Sequence, residues 1–243
     1  TMLRAEAGPV DRAPTVEHLL GLTTHQPEAR LRLVELLDRE PSTSAYLKWS
    51  RRLPSFAESR RVALISSYTV ETISPFLAVE AYLSGWRSSP SFIQYSNWQP
   101  ALLDPSASLD GHDAAVLLVD DATIVNQHLA DSAAATTSVT DLLNTFRTKS
   151  KLPLFVGLAP SRPSRNAIGL GQDERTHALC QLQWFNSAVS AFCAKDKATR
   201  LIDVPGALAA CGEAWHDADA FAATMSYINN KGYPGLARAI ARS

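Results

Sequence analysis

Val62-Ala63-Leu64-Ile65 is a run of four apolar residues without alternation, and it stops abruptly at the polar turn Ser66-Ser67-Tyr68-Thr69. A half-exposed strand alternates apolar with polar residues, and a surface helix shows a stripe every 3.6. A short unbroken run therefore predicts a strand buried on both faces, the environment of a parallel sheet covered by helices. The signal recurs at Ala114 to Val119 and Leu152 to Leu158, and more weakly at Ser91-Phe92-Ile93-Gln94-Tyr95 and Arg200-Leu201-Ile202-Asp203-Val204. Helical stretches separate these runs. One opens near Pro75 and ends at Gly85; the others cover Ala135 to Lys149, Glu174 to Ala194 and Tyr233 to Arg242. Parallel strands need crossovers, so the alternation predicts an α/β chain: a three-layer α/β/α sandwich with a parallel sheet.

Ahead of the first strand, Ala29, Leu33, Leu36 and Leu37 recur at helical spacing between Pro27 and Glu40, and a second short helix is expected from Ser44 to Leu53, before Pro54. Residues 1–60 are thus a helical prelude packed on a main domain of residues 61–243, with no internal repeat. The Ala/Ser/Thr-rich stretch from Asp131 to Thr140 reads as a helix start rather than a linker.

With 46% apolar and 19% charged residues the chain can bury a large core, which excludes disorder. No run reaches the roughly 18 to 20 apolar residues of a membrane span. The balance of 23 basic against 24 acidic residues gives nucleic acid no global attraction, and Arg51-Arg52 and Arg60-Arg61 read as solvated surface. Cys180, Cys193 and Cys211 form no C-x-x-C pair and fit a reducing cytoplasm; no signal-type apolar stretch follows Thr1-Met2-Leu3-Arg4, so no export is expected.

Ligands of open α/β sheets bind beyond the carboxyl ends of the strands. The polar clusters there are Ser66-Ser67-Tyr68-Thr69, Ser96-Asn97, Asp120-Asp121 with Asn126 nearby, and Ser161-Arg162. Ser67 sits at a strand-to-helix turn, where a hydroxyl either caps the next helix or attacks a carbonyl polarised by backbone N–H groups. Asp120 and Asp121 either orient a base or metal or are solvated turn residues. They are adjacent, so the D-x-D motif of haloacid-dehalogenase phosphatases is absent. His216, between Trp215 and Asp217, is the best general-base candidate, a lone structural histidine being the alternative. His112, His128 and His177 show no partner pattern. No H-x-x-x-H or H-E-x-x-H spacing supports a metal, and Gly169-x-Gly171 follows no strand, so neither metal nor cofactor is expected.

Three blocks, in order, resemble the N-terminal domain of FkbH-like proteins of polyketide assembly lines: Arg61-Val-Ala-Leu-Ile-Ser-Ser-Tyr-Thr-Val-Glu71, Asn97-Trp-Gln-Pro-Ala-Leu-Leu-Asp-Pro105, and Trp215-His216-Asp217 with Met225-Ser226 and Gly232-Tyr233. That region is similar to SGNH or GDSL hydrolases, which implies an SGNH-hydrolase or flavodoxin-like sheet. Phe185-Asn186-Ser187-Ala188-Val189 and Leu201-Ile202-Asp203-Val204 look like its late helix-strand unit.

In this register Ser67 matches the nucleophile of the G-D-S-x-T block, with Ser66, Tyr68 and Thr69 around it and Asn97 as candidate oxyanion donor. Ser66 stands at the block's aspartate, Asp121 near the third block's asparagine, and Thr224 and Tyr227 in the slots of the D-x-x-H pair, so a triad would need His216 instead. The resemblance implies acyl transfer or thioester hydrolysis on a phosphopantetheinyl-linked acyl group of an acyl carrier protein. Its alternative is a catalytically degenerate module that docks the carrier or positions a dehalogenase-type phosphatase domain, the part fused to this domain in full-length FkbH-like proteins. A free-standing esterase needs the missing pair most.

Overall fold

The computed structural model describes residues 19, 27–39, 42–54, 58–127, 132–161 and 172–243. Five strands, β1 (Ser59–Ser66), β2 (Arg87–Gln94), β3 (Ala114–Leu118), β4 (Leu154–Gly157) and β5 (Thr199–Ile202), form one sheet in the order β2-β1-β3-β4-β5. Every neighbouring pair is parallel, and Ile65 lies opposite Ile93 on one side and Leu117 on the other.

The apolar run of β1 is buried on both faces, as its lack of alternation requires. Val62 and Leu64 enter one core, Ala63 and Ile65 the other. The first core is closed by α1 (Pro27–Arg39), α2 (Thr43–Ser50), α3 (Ser74–Leu83) and the last helix (Tyr233–Arg242), through Leu33, Leu37, Tyr46, Phe76, Leu77 and Leu236. The second is closed by α4 (Trp98–Leu103), the helix Ser132–Lys149 and the helix Gln172–Lys195, through Trp98, Leu102, Leu143, Phe146, Phe185 and Val189. These are the three layers expected from the sequence.

The two prelude helices lie inside the first core. Tyr46 is fully buried, its ring centroid is 4.8 Å from that of Phe76, and its hydroxyl donates to Glu80 Oε1 at 2.7 Å. Glu80 also accepts from Arg238 at 3.2 Å, so one α3 carboxylate ties α2 to the last helix.

β2 differs from the sequence reading in starting at Arg87, four residues before Ser91. It is an edge strand paired only with β1, so its first half, Arg87-Ser88-Ser89-Pro90, needs neither apolar faces nor a full set of backbone donors. Five short helices, Trp98–Leu103, Pro105–Ser108, Asp121–Gln127, Val204–Ala209 and Ala218–Thr224, are too brief to show a periodic stripe and do not emerge from the sequence pattern.

The chain leaves β1 toward β2 on one side and returns to β3 on the other. At this reversal the connections diverge above the carboxyl ends of β1 and β3, the position at which open α/β sheets hold ligands.

Candidate functional site

The candidate site is built from residues that follow those two strands. Ser67 extends the ladder beyond β1, its N–H donating to Leu118 O at 3.1 Å. Its hydroxyl donates to Asp120 Oδ2 at 2.5 Å and accepts the Asp120 N–H at 2.9 Å. Asp120 opens α6 (Asp121–Gln127, sixth in the chain after α4 and the short α5, Pro105–Ser108), and its carboxylate accepts from the Thr123 N–H at 2.9 Å and the Thr123 hydroxyl at 2.7 Å. This is helix N-capping extended by one bond across the sheet. Ser67 and Asp120 are only 6% and 3% exposed, so this clamp sits in a poorly solvated place, where its bonds are strong and their loss costly.

The turn after Ser67 is equally engaged. Tyr68 N–H donates to Ser66 Oγ at 3.2 Å and Thr69 N–H to Met225 O at 3.0 Å. The N–H groups of residues 67, 68 and 69 thus all have protein acceptors, whereas an oxyanion hole needs donors aimed at an incoming oxygen. Burial pushes the Tyr68 phenol well above its ordinary range, and nearby Tyr233 and Asp120 add to this. The Tyr233 phenol is pushed up to about 12, again chiefly by burial.

His216 lies in an aromatic cage, its ring centroid 5.5 Å from Trp215, 5.9 Å from Phe221 and 5.4 Å from Tyr227. Its Nδ1 is 2.8 Å from Tyr227 O. A carbonyl can only accept, so Nδ1 carries the proton and Nε2 is the buried acceptor, with no partner among the described residues. The expected pairs do not form. Among the described residues the Ser67 hydroxyl bonds to Asp120, and Asp217 turns away from His216 to cap the helix Ala218–Thr224, accepting from Asp219 N at 3.0 Å and Ala220 N at 3.1 Å. Tyr227 is fully buried against Tyr68, centroids 5.3 Å apart, and donates to Pro160 O at 2.8 Å.

Of the other residues expected at the site, Ser66, Tyr68 and Thr69 line the turn. Asp121 is buried in the first turn of α6, where the positive end of the helix favours a carboxylate. Asn97 is exposed where the Tyr95–Asn97 turn enters α4 and makes no capping bond. Asn126 is on α6, but its side chain lies outside the described residues, as do Arg162, Gly169, Gly171 and His128. Ser161 is exposed. Among the described residues, no group of three or more His, Cys, Asp or Glu could hold a metal ion, and no helix is long and apolar enough to cross a membrane.

Three residues at the site escaped sequence reasoning. Thr123 had a readable signal, the D-x-x-T spacing of a helix start from Asp120. Tyr95 and Met225 had none. They have φ of 57° and 55°, and are the two non-glycine residues with positive φ among those described. Each such conformation costs about 1 kcal/mol or more. Both converge on Thr69: its Oγ1 is 2.5 Å from Tyr95 OH and donates to Thr224 O at 2.8 Å, while its N–H holds Met225 O.

No family model matches the sequence, and no curated protein is similar to it. Among solved structures, the N-terminal part of protein BF1531 from Bacteroides fragilis, which contains a phosphatase domain complexed with Mg, is similar at a TM-score of 0.70 and 10% identity. The match covers 82% of this chain and 55% of that one, so this chain spans about half of its length. A lipase/acylhydrolase from Enterococcus faecalis is similar at 0.53 and 11% identity, over 75% of this chain and 94% of that one. Phospholipase A1 from Streptomyces albidoflavus is similar at 0.50 and 17% identity, over 76% and 98%. At these identities the likeness is one of fold, and the fold is that of the SGNH hydrolases: a five-stranded parallel sheet between helical layers.

Proposed function

We propose that the chain is a non-hydrolytic SGNH-type module of an FkbH-like loading system in the cytoplasm, docking an acyl group held on an acyl carrier protein beside a dehalogenase-type phosphatase domain. The observation that carries this reading is the state of Ser67: its hydroxyl proton is held by Asp120, and no imidazole among the described residues is bonded to it. Acyl transfer through serine needs a base within about 3 Å of the hydroxyl and N–H donors facing the developing oxyanion. Here the adjacent N–H groups are closed off, and Tyr227 fills the slot where the resemblance places a catalytic histidine. Ser67 and Asp120 stand at the switch point of the sheet, the place where such folds bind ligands. The phosphatase domain in the solved relative supports a partner of that kind.

The test is titration of an acyl-loaded carrier protein into the wild type and Ser67→Ala while the thioester is followed. Equal binding by both, with the thioester intact, is the expected result. Loss of the thioester that depends on Ser67 overturns the proposal.

A second reading, acyl transfer with Ser67 as nucleophile and His216 as base, is favoured by the unpartnered His216 Nε2. It requires Ser67 to leave Asp120, and it predicts that Ser67→Ala and His216→Ala each abolish thioester turnover.

A further inference from the structure

The helix Gln172–Lys195 runs along the outside of the second core and buries Leu182, Phe185 and Val189 against it. A helix in that position ordinarily turns a charged face to water. Here no Asp, Glu, Lys or Arg occurs from Thr176 to Ala194, in a chain of which 19% is charged. The outward residues Cys180, Trp184, Ser187, Ala191 and Ala194 recur at spacings of four and three and are all exposed, the Trp184 ring at 45%. A solvent-facing helix without charge that presents a tryptophan has the composition of an interface core.

A hole lies beside this knob. The same helix and the helix Ser132–Lys149 leave between them a groove of about 530 Å³, lined by Thr140, Asn144, Ala188, Ala191 and Phe192. Trp184, Ala188 and Ala191 are again four and three apart, so the indole and the groove share one flank of the helix, roughly 6 to 10 Å apart along its axis. Rotation by 180° about an axis through Ser187, perpendicular to the helix, pairs two copies antiparallel and keeps that flank on the same side. Position 184 of each copy then faces position 190 of the other, and each indole lies over the opposite groove. A knob and a hole exchanged by one two-fold operation are what a closed, isologous dimer requires.

Charge and area agree with this pairing. Around the axis neutral surface meets neutral surface, while Lys195 and the ion pair of Arg147 with Asp196, 3.1 Å long, stand at the far end of the groove, where they form a polar rim. The helix has 24 residues and is about 36 Å long. With its neighbour about 10 Å away it offers a face of roughly 700 Å² per copy, close to the roughly 800 Å² per partner of a stable interface.

We propose that this face joins two copies of the chain in an antiparallel two-fold dimer, with the Trp184 ring of each copy seated in the groove of the other. The dimer does not depend on the docking function. Sedimentation equilibrium of the wild type, Trp184→Lys and Ala191→Trp tests it, with circular dichroism of each. The wild type is expected at the mass of two chains. Trp184→Lys removes the knob and puts a charge into the neutral face, and should weaken self-association about thirtyfold or more. Ala191→Trp fills the hole, leaves the knob in place and should do the same. Ser187→Cys places two thiols at the axis, where the Cα atoms of helices in contact are about 5 Å apart, so mild oxidation should link the copies. Cys180, seven positions from the axis and so roughly 21 Å from its counterpart, should link none.

A monomeric wild type overturns the proposal. So does a dimer that either folded variant leaves intact, or one that Ser187→Cys fails to cross-link, because the copies then meet elsewhere. If one variant loses the wild-type spectrum, the other variant and the cross-link decide.

Discussion

Replacing Asp120 by alanine is expected to lower the free energy of unfolding by about 3 kcal/mol, measured by urea denaturation. The carboxylate is buried and accepts three hydrogen bonds, from the Ser67 hydroxyl and from the backbone and hydroxyl of Thr123. Alanine leaves those donors behind. Each buried donor without an acceptor costs about 1 to 3 kcal/mol, and the half-buried Thr123 recovers part of its share from water. Asparagine should cost less, about 1 kcal/mol, because its oxygen still caps Thr123 and the Ser67 hydroxyl can rotate to accept from the amide. Ser67→Ala should fall near the asparagine variant, since Asp120 keeps both bonds to Thr123. Were the Ser67 bond no part of the clamp, Ser67→Ala would leave stability nearly unchanged.

Glu80→Ala is expected to cost about 3 kcal/mol as well, for a different reason. Glu80 is buried in the first core between the Tyr46 hydroxyl and the Arg238 guanidinium. Truncation takes the Glu80 carboxylate away from Arg238, whose side chain is 28% exposed, and leaves Tyr46, whose phenol burial and Glu80 hold far above the ordinary range, without that acceptor. Most of the cost falls on the buried Tyr46 hydroxyl left without its acceptor and on the volume lost beside it, since Arg238 reaches solvent. The loss should be concentrated at α2, which Glu80 anchors to α3. Hydrogen exchange is expected to accelerate in residues 43–50 while the central strands change only with global stability. Glu80→Gln keeps an acceptor for Tyr46 and should lie between the variant and the wild type.

The sheet was legible where its strands are buried on both faces. Val62 to Ile65 and Ala114 to Leu118 read as strands because the runs are short, unbroken and followed by turn residues, as a strand covered on both faces requires. Polar Arg87 to Pro90 carries no such signal, since an edge strand is held on one side only. At the site, the sequence pointed to Ser67 and Asp120 separately, each as a polar residue after a strand. Their bond, across 53 positions, depends on β3 lying beside β1, a consequence of strand order that no local pattern encodes. His216 and Asp217 show the opposite case. Adjacency in sequence suggested a pair, but Asp217 occupies a capping position and His216 turns to the Tyr227 carbonyl, because helix caps and buried N–H groups must find partners before side-chain neighbours do. The left-handed backbone at Tyr95 and Met225 could not be read at all, since neither residue type advertises it.

The most direct measurement is intact-mass spectrometry of the folded protein after prolonged exposure to a fluorophosphonate, which reacts with activated serines. With the hydroxyl of residue 67 bonded to a carboxylate and its neighbouring amides engaged, the mass should stay that of the unmodified chain. A single stoichiometric adduct mapped to Ser67 would contradict the account.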